Sequence, residues 1–478
     1  MAIGKRTKRQ GELWIPTQEL PTPISHPFYS KVNEILAKHG FDAFVEGMVL
    51  KFYHASLGRP SIPPGNYFRL LLLGYFEGID SERGIAWRVS DSLALRSFLG
   101  LALTDNTPDH SSMSRIRTRI DVETHEAVFT WALRVLAQEK ILVGSNVGID
   151  ATTLEANAAM RGIVRRDTGA TYQEFLKALA QASGIETPTK EDLIRLDRDR
   201  KKKTSNKEWK SPVDPDSRVA KMKDGSTHLA HKVEHAVDLD SGAVVGVTIQ
   251  GADLGDTTTV HNTTRDALAL LADATRGLDE IDRSGLMSTV VGDKGYHSSS
   301  AVLELQEFGI VPVISEPDRG RRKWAGKEEE QKAVYANRQR LKCKKGKKLL
   351  RQRAEFVERS FAHCYETGGM RHVFLRGHEN ILKRLLIHIA GFNLGILLRK
   401  ILGKGTPRGF GDLVARLRKA FLAFFDLHAI TSSKTNDLGW ISFLEGLLQG
   451  LFWILTMGTQ IGDLEENSGM VHQSCSAP

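Results

Sequence analysis

Cysteine is scarce in this chain: Cys343, Cys364 and Cys475 are all there is among 478 residues, and they stand far apart. Three scattered thiols exclude a disulfide framework and a cysteine-based zinc site, and they suit a reducing, cytoplasmic setting. Long apolar runs are scarce as well. The opening MAIGKRTKRQGELW is basic but leads into no apolar core, so it does not read as a secretory signal. The stretch Trp440 to Met457 comes nearest to a membrane span, yet Glu445, Gln449 and two glycines interrupt it, where about 20 mainly apolar residues are needed. It reads as a docking or terminal helix, and no membrane partner is expected. Acids are in deficit, 57 against 66 Lys and Arg, for a net charge of +9. A basic surplus favours a polyanionic partner.

What is present is ordinary globular material, 41% hydrophobic and 26% charged, long enough for two or three cores. The positive charge is concentrated. Residues 321–353 carry 14 Lys or Arg against Glu328, Glu329 and Glu330, so the remainder of the chain is close to neutral. Such a block tracks phosphates or is simply a solvated charge run.

The pattern divides the chain. Residues 1–24, with Pro16, Pro21 and Pro23, read as a basic arm. Residues 25–140 show helical apolar spacing broken by turn signals at Ile62-Pro63-Pro64-Gly65 and Asp105-Asn106-Thr107-Pro108. Tyr67 to Phe76 reads as one helix, Ser81 to Phe98 as a second, and His110 to Ile120 as a short polar helix carrying Arg115, Arg117 and Arg119. Arginines on an exposed face of that helix suit a DNA groove or backbone; a surface helix with solvated arginines is the plainer alternative.

At Val143 the pattern changes. Asn146 to Asp150 reads as a short buried strand closed by Asp150. A charged insert, 161–227, follows, with one helix expected at Gln173 to Ala182. A hairpin (Lys232 to Val237, a turn at Asp240-Ser241-Gly242, Ala243 to Gln250), a helix (Thr259 to Thr275) and a strand closed by Asp293 come next. Helix Ser298 to Phe308, strand Ile310 to Ile314, the basic segment 319–353 and one or two helices from Leu349 to Leu402 complete a unit over 141–402. Residues 403–478 form a tail of no clear role. The predicted fold class is α+β: a helical N-terminal domain, then a mixed β-sheet core flanked by helices in the ribonuclease-H-like manner.

Three acids stand out. Asp150 and Asp293 each follow a β-rich apolar run, and Glu358 lies on a helical segment just past the basic block. Taken singly, such an Asp is usually a turn or capping residue. Jointly they suit phosphodiester chemistry, in which Mg²⁺, a hard ion that prefers oxygen ligands, steadies both the attacking and the leaving oxygen. Glu355 is the rival for the third place. His228, His231 and His235 do not make a zinc site, because His235 falls on a predicted strand and no cysteine assists.

The segments Gly148-Ile149-Asp150-Ala151-Thr152, Val291-Gly292-Asp293-Lys294-Gly295-Tyr296-His297 and Val357-Glu358-Arg359-Ser360-Phe361-Ala362-His363 resemble those of bacterial insertion-sequence transposases of the DDE superfamily, in the branch with a helical N-terminal domain. The resemblance runs from about residue 15 to 410. It implies that Asp150, Asp293 and Glu358 form a metal-binding triad using Mg²⁺, with Mn²⁺ as a substitute. It further implies double-stranded DNA as partner and a homodimer or higher oligomer on that DNA in the cytoplasm, at the nucleoid. Water would cut the element's end, and the freed 3′-hydroxyl would attack target DNA.

Relatives often carry a tyrosine and an arginine before the glutamate and a lysine seven residues after it. Here Arg353 stands one residue too far upstream, position 365 is Tyr365, and Tyr335 and Arg338 are distant. Candidates for holding DNA phosphates are therefore Lys294, Lys344, Lys345, Lys347, Lys348, Arg351, Arg353, Arg359 and Arg371, with Arg115, Arg117 and Arg119. The alternatives are a metal-dependent nuclease or resolvase that cuts without joining, and an inactive transposase-derived DNA-binding protein.

Overall fold

The computed structural model describes residues 26–408, apart from 55–57, 59–60, 201–203, 223–224, 279–284, 319 and 321. The basic arm, the tail and the apolar stretch Trp440 to Met457 lie outside the described residues.

Among the described residues, seven α-helices come first: α1 (Pro27–Lys38), α2 (Phe41–Val49), α3 (Pro64–Glu77), α4 (Glu82–Asp91), α5 (Leu93–Phe98), α6 (His110–Arg119) and α7 (Val122–Gln138). The expected single helix from Ser81 to Phe98 is two. Ser92 leaves helical geometry and its side chain accepts from the Leu95 N–H, capping α5 and ending α4. Asp109 and Asp121 cap α6 and α7 in the same way.

The second part is built on a sheet. Its elements are β1 (Asn146–Glu155), β2 (Val164–Arg165), α8 (Tyr172–Ala182), α9 (Lys190–Asp199), β3 (Trp209–Lys210), β4 (Arg218–Lys221), β5 (Thr227–Asp238), β6 (Val244–Gly251) and α10 (Asp256–Ala274). Then follow β7 (Thr289–Gly292), α11 (Ser299–Glu307), β8 (Val311–Ile314), α12 (Glu328–Lys342), α13 (Lys344–Phe361) and α14 (His378–Leu402). The main sheet runs β4-β5-β1-β7-β8, with β6 also on β5. β4 takes residues 227–230 of β5 and β6 takes 231–237, so the two share one edge. β1 is antiparallel to β5 and parallel to β7, and β7 is parallel to β8. This mixed sheet with helices on both faces is ribonuclease-H-like.

The insert holds more than the one helix expected. α8 and α9 each begin with a capping box, Thr171 with Glu174 and Thr189 with Asp192. β2 pairs with β3, and Trp209, Ile163, Ala156 and Leu229 form a small separate core. α12 was also unforeseen, its helix hidden inside the basic block.

α14 joins the two parts. By length and composition it could cross a membrane, but 89% of its most apolar window is buried inside the protein. Its Arg384, fully enclosed, donates to the carbonyls of Leu71 and Ile79, and its Asn393 bonds both N–H and C=O of Val244 on β6. One continuous apolar cluster therefore runs from Phe28 in α1 through β1 and β5 to Leu398 in α14.

Candidate active site

Strand register places the two aspartates. β1 and β7 pair as Asn146↔Thr289, Val147↔Val290 and Gly148↔Val291. Carried two residues further, the same parallel register sets Asp150 level with Asp293. Val147, Ile149, Val290 and Val291 are buried, so both strands are fixed by the core up to the point where the acids emerge. Asp150 does not close its strand as the sequence suggested. β1 continues to Glu155 because β5 goes on pairing with it after β7 has left. The acid is exposed by the loss of one neighbour, not by a turn. Asp293 does close β7, and its carboxylate caps the short 3₁₀ turn Lys294–Tyr296 by accepting from the Gly295 N–H at 2.8 Å.

Arg353 of α13 ties the pair together. One guanidinium nitrogen lies 2.8 Å from Asp150 Oδ2 and 3.9 Å from Asp293 Oδ2, and the guanidinium also donates to the Ile149 carbonyl at 3.1–3.2 Å. The helix can come this close because residue 148 is glycine: a Cβ there would press on Arg353 Cγ at 3.0 Å. Burial pushes the Asp150 carboxyl above the ordinary aspartate range; Asp293 and Asp256 add to the rise, while Arg353 and the Ala151 N–H oppose it. Two carboxylates that meet at one point, one of them in an unfavourable setting for its charge, favour a cation between them, a place the Arg353 guanidinium takes here. Their oxygens suit a hard divalent ion.

Glu358 sits five residues beyond Arg353 on the same helix, exposed, its carboxylate without a hydrogen bond or ion pair among the described residues. Glu355 is exposed too but pairs with Arg359. Among the described residues, no three Asp, Glu, His or Cys side chains are arranged to hold a metal ion. The structure thus brings two of the three predicted acids together and leaves the third on the helix beside them.

The cations divide sharply. Lys344, Lys345, Lys347, Lys348 and Arg351 are exposed on the first turns of α13, as is Lys294 beside Asp293, and among the described residues none of these side chains has a hydrogen bond or ion pair. Arg353 is not free to grip a phosphate; it is spent on the aspartates. Arg359 lies over the Phe356 ring and pairs with Glu355. Arg371 holds Glu366, Thr152 Oγ1 and the Thr153 carbonyl, pinning the segment after α13 to β1. On α6 the expectation of three outward arginines fails for Arg117, which is buried and pairs with Glu82 at 3.4 Å. It falls on the apolar stripe Met113, Ile116, Ile120 of the helix. Arg115 and Arg119 remain exposed and line a cleft of about 530 Å³ with Asn106 and Pro108.

The three histidines go separate ways. His228 meets Glu155 at 3.1 Å, buried His231 meets Asp214 at 3.1 Å, and His235 lies between Ser360 and the Tyr365 hydroxyl. His235 is opposite Asp150 in the β1–β5 ladder. Tyr365, where relatives carry lysine, is a buried anchor in a π-helical turn, Ala362–Thr367. Sequence reasoning missed Lys232, Glu234 and Asp256, whose network backs the Asp293 turn.

Two register-matched carboxylates in a ribonuclease-H-like sheet suit phosphoryl transfer. Residues 162–394 match the family described as Transposase DDE domain, and residues 21–119 match Transposase domain (DUF772). The chain belongs to the DDE transposases that carry this N-terminal domain. It is accordingly a transposase acting on DNA, in a family that generally uses divalent metal. The DDE match begins beyond Asp150 and so includes Asp293 and Glu358 only; the place of Asp150 rests on the sheet register. No curated protein and no solved structure matches the chain.

Proposed function

We propose that this transposase cuts DNA at the ends of an insertion sequence and joins the freed 3′ ends to target DNA, with Asp150, Asp293 and Glu358 as its reacting carboxylates. The observation that carries the reading is the shared register of Asp150 and Asp293, which delivers two acids from distant parts of the chain to one point. Asp150 and Asp293 hold Mg²⁺, or Mn²⁺ in its place, and Glu358, its carboxylate unpaired among the described residues, completes the set. When bound, such ions stabilise both the attacking and the leaving oxygen of an in-line displacement. The protein's own work is positioning. Arg353 keeps the aspartates converged, and α13 lays its cations beside them.

Those cations make no ion pair among the described residues. Lys344 and Lys345 open α13, no acid occupies its first turn, and positive charge at a helix N-terminus is unfavourable. They bind DNA phosphates. With about six such contacts, affinity falls roughly 10³-fold between 50 and 200 mM salt. Arg115 and Arg119 make a second, smaller contact with DNA. Because an element has two ends, the working form is a dimer or higher oligomer on DNA, in the cytoplasm at the nucleoid.

The test uses purified full-length protein, Mg²⁺ and a DNA fragment carrying the element's end, with a second assay on pre-cleaved ends. Cleavage followed by joining is expected, both abolished in Asp150→Asn, Asp293→Asn and Glu358→Gln with DNA binding kept. Cleavage without joining on pre-cleaved ends would reduce the reading to a nuclease. Binding without any magnesium-dependent product would reduce it to a DNA-binding protein.

A further inference from the structure

Behind the aspartates, on the α10 face of the sheet, lies a second set of charges. Lys232 of β5 is 6% exposed, and its ammonium meets Asp256 Oδ1 at 2.6 Å and Glu234 Oε1 at 2.9 Å. It also donates to Thr259 Oγ1 at 3.1 Å and to the Leu254 carbonyl at 3.2 Å. Glu234 is fully buried and accepts from the hydroxyls of Thr259, Thr263 and, at 3.2 Å, Tyr296. An ammonium has three protons to give, so Lys232 is wholly engaged.

Two members of this set grip the turn that follows β7. Tyr296, buried at the far end of the turn, is held by Glu234 through its hydroxyl. Gly295, in the middle, lies directly against the Asp256 carboxylate. A Cβ at Gly295 would overlap Asp256 Oδ2 and stand 3.1 Å from Asp293 Oδ1. The backbone itself does not demand glycine there, since Gly295 is not among the positive-φ residues. Space for Asp256 is the reason for the missing side chain.

We infer that Lys232 and Asp256 are positioning residues for the reaction: Lys232 fixes Asp256, Asp256 braces the turn at Gly295, and the turn sets where Asp293 stands relative to Asp150. The inference rests on Asp293 being a reacting carboxylate. Groups that orient a metal-holding side chain typically matter roughly 10–100-fold to metal affinity.

The test is a double-substitution cycle on the full-length protein with Asp256→Ala, Gly295→Ala and the two combined. Mn²⁺ affinity is read by electron paramagnetic resonance without DNA, alongside cleavage rate, DNA affinity and metal-free melting temperature. Gly295→Ala is expected to weaken Mn²⁺ binding and cleavage roughly tenfold or more at unchanged DNA affinity. The combined variant should recover most of that loss, because the new Cβ then occupies the space the carboxylate left. Independent, multiplying losses with no recovery would overturn the brace. So would a Gly295→Ala protein that binds Mn²⁺ like the parent. If Asp293→Asn itself binds Mn²⁺ as tightly as the parent, the assignment of Asp293 has failed rather than the brace alone.

Discussion

Two cations neutralise the acids at this end of the sheet, one from each face, and their settings differ. Arg353 comes from α13 to acids that remain open to solvent: the side chains of Asp150 and Asp293 are 25% and 46% exposed. Lys232, itself only 6% exposed, is anchored on Glu234 at 0% and reaches from there to Asp256, which is 33% exposed. The open side presents charge to whatever enters. The closed side holds the turn in place. A buried pair stripped of one partner leaves an uncompensated charge, whereas water can cover the loss at an open pair. The contrast tells a scaffold from a site where acid residues alone do not.

The largest expected effect falls on the open side and is catalytic. Asp150→Asn and Asp293→Asn should take cleavage of an element end to background while leaving the fold intact, as checked by melting. Glu358→Gln should do the same, whereas Glu355→Gln, which loses only a surface pair with Arg359, should keep most activity. Equal loss at Glu355 would move the third acid by three positions. Next in size is a stability effect on the closed side. Lys232→Met should destabilise by about 3–5 kcal/mol in denaturant unfolding, and Arg353→Met by clearly less. Comparable losses would erase the distinction between the two faces.

A third prediction compares the exposed cations of α13 with the arginines of α6. Replacing Lys344, Lys345, Lys347 and Lys348 by Gln should flatten the dependence of log affinity on log salt by about 0.9 for each phosphate contact removed. Arg117→Gln should leave that slope alone and lower stability, because Arg117 is enclosed with Glu82.

The last comparison is in pH, where each residue acts gradually. Burial holds His235 and His388 down to about 3 and His125 to about 4. An unfolded histidine titrates near 6.5, so the unfolded chain takes up protons first as pH falls. These residues therefore contribute stability in full above about pH 6.5 and lose it towards pH 4 and 3, each at no more than about 1.4 kcal/mol per pH unit. Acid melts between pH 7 and 5 would show it, and His235→Gln should flatten the curve by one residue's share.

Much of this was legible in the sequence, for reasons that also explain the misses. The apolar runs before Asp150 and Asp293 announce buried strands, and β-rich residues left little choice of conformation there. Nothing local announces that β1 continues past Asp150, because the continuation depends on β5, some eighty residues away. The capping box at Thr189 and Asp192 was readable and marks α9. Arg117 was readable too, since it repeats the spacing of Met113, Ile116 and Ile120. The Lys232–Asp256 pair was not. Lys232 and Glu234 alternate with apolar residues as an ordinary half-exposed strand would, and only α10 packed on that face turns them into a buried network. Arg353 likewise looked like one more member of a basic block until α13 set it between two aspartates.

The most direct measurement is Mn²⁺ binding to the parent protein and to Asp150→Asn, Asp293→Asn and Glu358→Gln, each mixed with a DNA end. The account expects weakened binding in all three, with DNA affinity held. Unchanged Mn²⁺ binding in Glu358→Gln beside full loss in both aspartate variants would contradict it, leaving α13 as a bearer of Arg353 and not of the third acid.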